Sequence, residues 1–436
     1  MIFSLSNKTF YKRHNEELVK YIINKKSLHI CAKPSKIKIS EKLSTKLFID
    51  VNNIEGCFED LDERFDVIVL TDVVETIDDI NYLLINVKKL LNKNGKLILS
   101  TVNPKYYLLI KLLEVLKFKQ KNNKLSYIHS KKINKVVNGQ GFEFIYANSK
   151  QIIPFKICGI GNLLNSFLES IFFIFNIGIK TYTVFRIQNK ESNIHLSKTI
   201  IVPAKNEEGN LKPLISRLPI KSKFEIIIAC GNSQDGTLST AYEIENNSDW
   251  HEVKVINQSK DGKANAVWEA LEHSTGDLVA ILDADMSVDP EIIDDFFNII
   301  EQDNADFVNG TRLVYEMEDN AMRYINKIGN RAFQFLISKV INVPLTDSLC
   351  GTKVFRRELI DCIEWWQETY KLHDPFGDFD LLFTAAVTGE KIVELPVHYK
   401  SRVYGSTQIS RFRDGFKLIK YMVRSYLIFN SSRFIR

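Results

Sequence analysis

Two kinds of apolar run alternate along this chain. Short continuous runs, FDVIVL (65–70), KLILSTVN (96–103), KTIIVPA (198–204) and EIIIA (225–229), have the length and β-branched content of strands buried on both faces. Between them lie longer segments with apolar residues three and four apart, such as 78–92 and GKANAVWEALEHS (262–274), which predict amphipathic helices. SLHICA (27–32), GFEFIYAN (141–148) and TYTVFRIQ (181–188) read as further strands, and Asn94-Gly95 is expected to close the helix over 78–92. Alternation of this kind predicts an α/β fold. The pattern occurs before and again after the polar stretch ESNIHLS (191–197), so the chain reads as two Rossmann-like domains, 1–190 and 198–415, joined by a linker, with a basic amphipathic helix over 416–436.

The charge distribution agrees with this division. The net +5 of the 436 residues conceals 30 Lys+Arg against 17 Asp+Glu up to residue 190, and 28 against 36 beyond it. The lysines of the first half are dispersed and carry no aromatic stacking motif, so a solvated basic face is expected there and no nucleic-acid site. The six cysteines are scattered without metal-ligand spacing, which fits a reducing, cytoplasmic compartment. The N-terminus does not read as a signal peptide. Asn162, Asn165, Glu169 and Asn176 interrupt the most apolar stretch, 162–179, so it reads as a buried or interfacial helix and no transmembrane helix is expected.

The most informative chemistry is in ILDADMSVDP, residues 281–290. An apolar strand, Leu278 to Leu282, runs into two aspartates one residue apart, and in an extended backbone such residues share a face. Asp283 and Asp285 therefore suit a hard divalent cation, Mg²⁺ or Mn²⁺, that takes its remaining ligands from phosphate and water. An acidic turn after a strand is the plainer alternative. The other strand ends of this half feed the loops KNEEGNL (205–211) and CGNSQDGT (230–237), at the carboxyl edge where open parallel sheets bind ligands.

PAKNEEGNL, GNSQDGT, GKANAV, ILDADMSVDPE, VNGTRLVY, LCGTKVF and DPFGDFDLLF follow in the order found in glycosyltransferase family 2, and residues 198–430 resemble that family, in particular its polyprenol-phosphate sugar transferases. The resemblance implies a GT-A nucleotide-sugar-binding domain and an inverting transfer. It implies that Pro203, Asn206, Glu207, Asp235, Lys263 and Asp283 bind the nucleotide sugar, with Asp283 and Asp285 at the metal. The family commonly has an acidic residue two or three places before the Ser of the second loop, where this chain has Cys230 and Gly231. The alternative for Glu207 and Glu208 is a simple helix start, and for Lys263 a solvated side chain.

Inverting transfer requires a carboxylate on the acceptor side. The family pattern points to Asp378 as the catalytic base, with Asp380 next in line and a helix N-terminal charge as its alternative. In SRVYGSTQISRFRDG (401–415) the resemblance implies that Arg402, Gly405 and Thr407, with Arg411 and Arg413, suit an acceptor phosphate; an ordinary basic loop is the alternative. From Lys400 to Arg436 there are nine Lys+Arg and one Asp, and Lys417, Lys420 and Arg424 share a helix face. That pattern suits either a peripheral position on an anionic membrane surface or a helix packed on the protein itself.

The first half resembles a class I S-adenosylmethionine-dependent methyltransferase, through FDVIVLTDVVETIDD and LLNKNGKLILSTVNP. The glycine-rich loop expected after the first strand reads HICAKPSK (29–36) here and holds no glycine. The interval from Ser35 to Phe65 is short for the family's intervening helix and second strand, and Asp50 is the candidate for the acidic residue that ends that strand. A methyltransferase-like domain without bound S-adenosylmethionine is expected. The expected reaction moves a sugar from a nucleotide-diphosphate sugar to polyprenyl phosphate or, alternatively, to a soluble or glycan acceptor. A chain whose first half is an active methyltransferase is the other alternative.

Overall fold

The computed structural model describes residues 7–22, 24–31, 45–48, 55–58, 61–77, 79–106, 108, 111–112, 115, 130–152, 164–165, 168, 177–188, 195–219, 223–248, 251–315, 324–371, 374, 376–402, 404 and 411–430. The chain forms two compact units, one built mainly from Met1–Asn189 and the other mainly from Lys190–Tyr426.

The first unit carries a sheet of β1 (Ser27–Cys31), β2 (Thr45–Phe48), β3 (Phe65–Thr71), β4 (Leu91–Val102), β5 (Phe142–Lys150) and β6 (Lys180–Ile187) in the order β2-β1-β3-β4-β6-β5. The strands from β2 to β4 are parallel, and β6 enters antiparallel between β4 and β5. Successive side chains of a strand point to opposite faces. Ile68 and Leu70 therefore pack with Leu83, Leu84 and Val87 of helix Ile80–Leu90, while Val67 and Val69 pack with Leu18, Tyr21 and Ile22 of helix Asn7–Ile22. Burial on both faces is why these strands read as unbroken apolar runs.

Two expectations for this unit need correction. Asn94-Gly95 does not close the helix, which ends at Leu90. It lies within β4, where the pairing with β3 jumps from Phe65↔Leu91 to Val67↔Lys96, so the turn-forming residues sit at a bulge rather than at a cap. The interval before Phe65 also holds a strand after all, since β2 pairs in parallel with β1. Its four residues are too few to reveal a period. Asp50 follows β2 in sequence and lies outside the described residues.

The second unit carries β7 (Lys198–Ala204), β8 (Glu225–Cys230), β9 (Glu252–Asn257), β10 (Leu278–Ile281), β11 (Phe307–Thr311), β12 (Lys353–Arg356) and β13 (Ile392–Pro396) in the order β13-β11-β12-β10-β7-β8-β9. β12 alone runs antiparallel to its neighbours, β10 and β11. Ile200, Val202, Ile226, Ile228, Leu278 and Ala280 face one core with Leu211, Leu214, Phe296 and Phe297. Ile201, Ile227, Val279 and Ile281, one residue along in each strand, are equally buried on the opposite face. The final helix, Arg411–Asn430, starts before residue 416.

Candidate functional site

Chain direction across the sheet reverses between β7 and β10. From β7 the chain moves outward to β8 and β9, and β10 then begins the other half of the sheet. A crevice at such a switch point is where open α/β sheets hold ligands, and the loops after β7 and β10 meet there.

The loop after β7 is fixed by its own polar side chains. Asn206 adopts φ 57°, a left-handed conformation that Asn tolerates better than most residues. Its amide N–H donates to Ser233 Oγ (3.1 Å), and its side-chain oxygen accepts from the Gln234 amide (2.8 Å). Asp235 accepts from the amides of Thr237 (3.0 Å) and Glu208 (3.3 Å), and Glu208 accepts from the Gly236 amide (3.0 Å). The loops after β7 and β8 are thus locked to one another, and Asp235 serves that lock. Pro203 lies in β7, opposite Ala229 of β8. Cys230 is buried, and burial pushes its thiol up to about 11, so it stays neutral where the resemblance led to an acidic residue.

The loop after β10 differs from expectation in its backbone. The strand stops at Ile281 and the chain turns at 284–285, with Met286 at φ 52°. The two aspartates therefore do not project side by side from an extended strand. Asp283 Oδ1 takes the Lys263 ammonium at 2.7 Å, while Asp285 Oδ2 takes Arg402 at 2.6 Å and its other oxygen accepts from the Ser287 amide at 2.9 Å. Arg402 also reaches Glu207 Oε1 at 3.8 Å, and the ring of Tyr404 lies against Gly209. The chain just after β13 is thereby drawn onto the loop after β7.

Lys263 stands between Asp283 and Asp378. It opens helix Lys263–His273 behind Gly262, whose φ of 108° requires glycine. Its ammonium stands 2.7 Å from Asp283 and 3.8 Å from Asp378. Asp378 opens helix Asp378–Val387 and takes a second cation, Lys353 Nζ, at 3.0 Å. Asp380 lies elsewhere: its carboxylate accepts from Trp366 Nε1 (3.1 Å), Gln367 Nε2 (3.0 Å) and the Tyr421 hydroxyl. Gly405 and Thr407 lie outside the described residues. Arg411 and Arg413 lie in the first turn of helix Arg411–Asn430.

The electrostatics follow from this packing. Burial raises the Asp283 carboxyl, but Lys263, with Lys353 and Arg402 beyond, outweighs it and holds the group below the usual carboxylate range. Burial also opposes the Lys263 charge, and Asp283 and Asp378 overcome that and raise it. Glu207 moves up, chiefly through burial and then through Asp285 and Asp283, against the pull of Asn210 and Arg402. Asp374 caps the helix of Asp378 by accepting from the Phe376 (3.0 Å) and Phe379 (2.6 Å) amides, and burial with Asp380 and Asp378 nearby pushes it to about 7.

Sequence reasoning assigned no role to Lys353 or Gly351, although both stand in the LCGTKVF motif. The antiparallel course of β12 brings them in, because it starts where β10 ends, with Lys353 paired to Ile281. A Cβ on Gly351 would collide with Asp283 Oδ2, so a larger residue there would displace that carboxylate. Arg312 and Asp347 were likewise unassigned. They form a two-pronged ion pair (2.6 and 2.9 Å) beyond the end of β11, and Arg312 outweighs burial to hold the Asp347 carboxyl near about 2.

Among the described residues no group of three or more His, Cys, Asp and Glu is placed to hold a metal. Asp283 and Asp285 supply hard oxygen donors at one loop, which suits an ion that completes its shell with phosphate oxygens and water rather than one held in a protein cage.

Comparison with known proteins fits this geometry. The family described as "Glycosyl transferase family 2" matches residues 199–364, and the family described as "Methyltransferase domain" matches residues 24–147. The dolichyl-phosphate hexose transferase of Haloferax volcanii is 30% identical over 172 residues, which are 39% of this chain and 71% of that protein. The undecaprenyl-phosphate 4-deoxy-4-formamido-L-arabinose transferase of an Enterobacter species is 26% identical over 220 residues, 49% of this chain. The match spans 63% of that relative's length. Among solved structures, glucosyl-3-phosphoglycerate synthase from Mycobacterium tuberculosis, in complex with Mn²⁺, uridine diphosphate and glucosyl-3-phosphoglycerate, is similar at 16% identity and a TM-score of 0.40, covering 53% of this chain and 80% of that one. With its first unit matching a methyltransferase domain and its second carrying the ordered motifs on a mixed sheet, the chain belongs to glycosyltransferase family 2.

Proposed function

We propose that the second unit transfers a sugar from a nucleotide-diphosphate sugar to a lipid-phosphate acceptor, with inversion at the anomeric carbon. The observation that carries this reading is the position of Lys263, with Asp283 at 2.7 Å on one side and Asp378 at 3.8 Å on the other, at the switch point of the sheet. One cation then faces both the bond that breaks and the group that attacks. The acceptor is drawn from the names of the relatives, which act on undecaprenyl phosphate and dolichyl phosphate.

In this mechanism Pro203, Asn206 and Glu207 hold the base and ribose, and Asp235 keeps their loop in place. Asp283 and Asp285 would hold Mg²⁺ or Mn²⁺, which would supply Lewis-acid stabilisation of the charge that departs with the diphosphate. Lys263 lies beside Asp283 Oδ1 and stabilises charge that grows as the glycosidic bond breaks. Asp378, held by Lys353, orients the acceptor on the opposite face of the sugar. It takes a proton where the acceptor oxygen carries one, and serves orientation alone where the acceptor is an ionised phosphate. Arg402, Thr407, Arg411 and Arg413 receive the acceptor phosphate. We place the chain at the cytoplasmic face of a membrane. Cys31, Cys57, Cys230, Cys350 and Cys362 are thiols, which supports a reducing compartment. No described helix is long and apolar enough to cross a membrane.

The test is nucleotide-diphosphate release from a panel of UDP-, GDP- and dTDP-sugars, with Mg²⁺ or Mn²⁺, with and without a short polyprenyl phosphate. The expected result is release from one donor that rises with the lipid and drops by roughly 100-fold or more in Asp285→Asn, the order seen when a main electrostatic group is lost. Donor turnover indifferent to the lipid assigns a soluble or glycan acceptor instead. Undiminished turnover in Asp285→Asn removes the metal assignment.

A further inference from the structure

Helix Arg411–Asn430 divides into two faces that do different things. Leu418, Tyr421, Met422 and Ser425 are buried. The Tyr421 hydroxyl donates to Asp380 and also meets Trp366 Nε1 at 3.1 Å, which fixes the rotation of the helix on the second unit. Phe416 (71% exposed), Ile419, Val423 and Leu427 are left in solvent on the other side. Their spacing of three, four and four residues puts them in one stripe, within about 80° of arc at about 100° per residue. Lys417, Lys420 and Arg424 are exposed along one flank of that stripe. Past Asp414 in its first turn the helix carries no acidic residue, and Asp380 beneath it is buried, so the exposed face presents cations beside apolar side chains.

An exposed large apolar row on a helix already packed by its other face marks an interaction surface. Its charge decides among partners. A row of apolar side chains with flanking ammonium and guanidinium groups matches an anionic bilayer, in which the rings and branched chains sink below the headgroups while the cations stay among the phosphates. We propose that this face docks the chain on anionic lipid, with Phe416, Ile419 and Val423 inserting and Lys420 and Arg424 at headgroup level. The proposal rests on the membrane placement given with the proposed function and names the surface that would achieve it, although docking itself needs no donor. It does give Asp380 a second meaning: the residue that receives the docking helix is two positions from Asp378.

Sedimentation of the full chain with phosphatidylglycerol vesicles and with phosphatidylcholine vesicles tests this directly. The expected result is strong binding to the first and at least about tenfold weaker binding to the second, because each cation on this face adds its own attraction to an anionic surface. Phe416→Ser with Ile419→Ser and Val423→Ser should abolish sedimentation, and Lys420→Glu with Arg424→Glu should abolish the preference for phosphatidylglycerol. Each variant is first checked by its unfolding transition, which exposed positions should leave in place. Equal binding to both vesicles, binding retained in the triple serine variant, or no binding at all overturns the proposal. So does light scattering that finds a dimer dissolved by the serine variant, because the stripe is then covered by a second copy. Donor hydrolysis in the same samples, measured without lipid, separates failure of docking from failure of the catalytic reading.

Discussion

Gly351 is the residue on which the site geometry turns most sharply. The Asp283 carboxylate occupies the space that any side chain there would need. Gly351→Ala must therefore push Asp283 away from Lys263 or displace the start of β12. The expected outcome is at least about tenfold lower kcat/KM, about 1.4 kcal/mol of transition-state stabilisation, with the thermal transition changed far less than activity. Steady-state kinetics over donor concentration check it, and wild-type kinetics in the alanine variant would mean that Asp283 does not act from its present position. The aspartates were legible in the sequence because their loop follows a readable strand, and Lys263 because the GKANAV motif opens a readable helix. Gly351 and Lys353 were not, since nothing local says that an antiparallel strand will carry them to the end of β10. The divergence of Asp283 and Asp285 was equally hidden, because strand alternation was extended through Asp285 although the strand ends at Ile281.

Helix Asp378–Val387 shows how an element can carry two aspartates for opposite purposes. Asp378 meets Lys353 and Lys263, while Asp380 meets Trp366, Gln367 and Tyr421. Asp374 stands at the head of the helix with its carboxyl pushed to about 7, first by burial and then by Asp380 and Asp378. An unfolded Asp ionises near about 3.9, so between that value and about 7 the folded state binds more protons than the unfolded one. The contribution of Asp374 to stability is therefore complete below the unfolded pKa and is lost as pH rises through the folded one. Asp374→Asn cannot ionise, and its single carbonyl oxygen can serve only one of the two amides that Oδ1 and Oδ2 take separately in the wild type. It should flatten the decline in stability between about pH 4 and about pH 7, at a pH-independent cost of about 1 kcal/mol for the acceptor it loses. All four tryptophans, 250, 268, 365 and 366, fall in the second unit, so fluorescence-detected unfolding reports on it without interference from Glu75, a carboxyl of the first unit also raised to about 7. An unchanged pH slope in the variant would locate the proton elsewhere. At this scale the long strands were legible from their unbroken apolar runs and the helix over 263–273 from its period, whereas β2, β9, β12 and β13 are short or edge strands whose identity comes from their neighbours.

The whole molecule joins a glycosyltransferase unit to a methyltransferase-like one, and the first unit bears on whether S-adenosylmethionine is part of its chemistry. Ligands of such sheets sit over the carboxyl ends of the parallel strands. Here the ends of β3 and β4 are covered by the chain's own polar side chains. Asp72 follows β3 and is paired with buried Lys180, Tyr11 donates to Asp72 at 3.3 Å, and the Val102 amide donates to Glu75 at 2.7 Å. Burial raises Asp72, but Lys180 outweighs it and holds the carboxylate ionised, so an ammonium is fixed at this edge. A sulfonium cofactor brought here would find the Asp72 carboxylate already taken by that ammonium, and it would lack the glycine-rich loop that lets backbone approach it, since HICAKPSK holds no glycine. Titration calorimetry of the full chain with S-adenosylmethionine is therefore expected to give no saturable heat up to millimolar ligand, with sugar transfer unchanged by its presence. Saturable micromolar binding would reverse the assignment and make the chain bifunctional. If it appeared only in Lys180→Met, the ammonium itself would be what keeps the cofactor out, and the unit would be a methyltransferase fold closed by a single side chain.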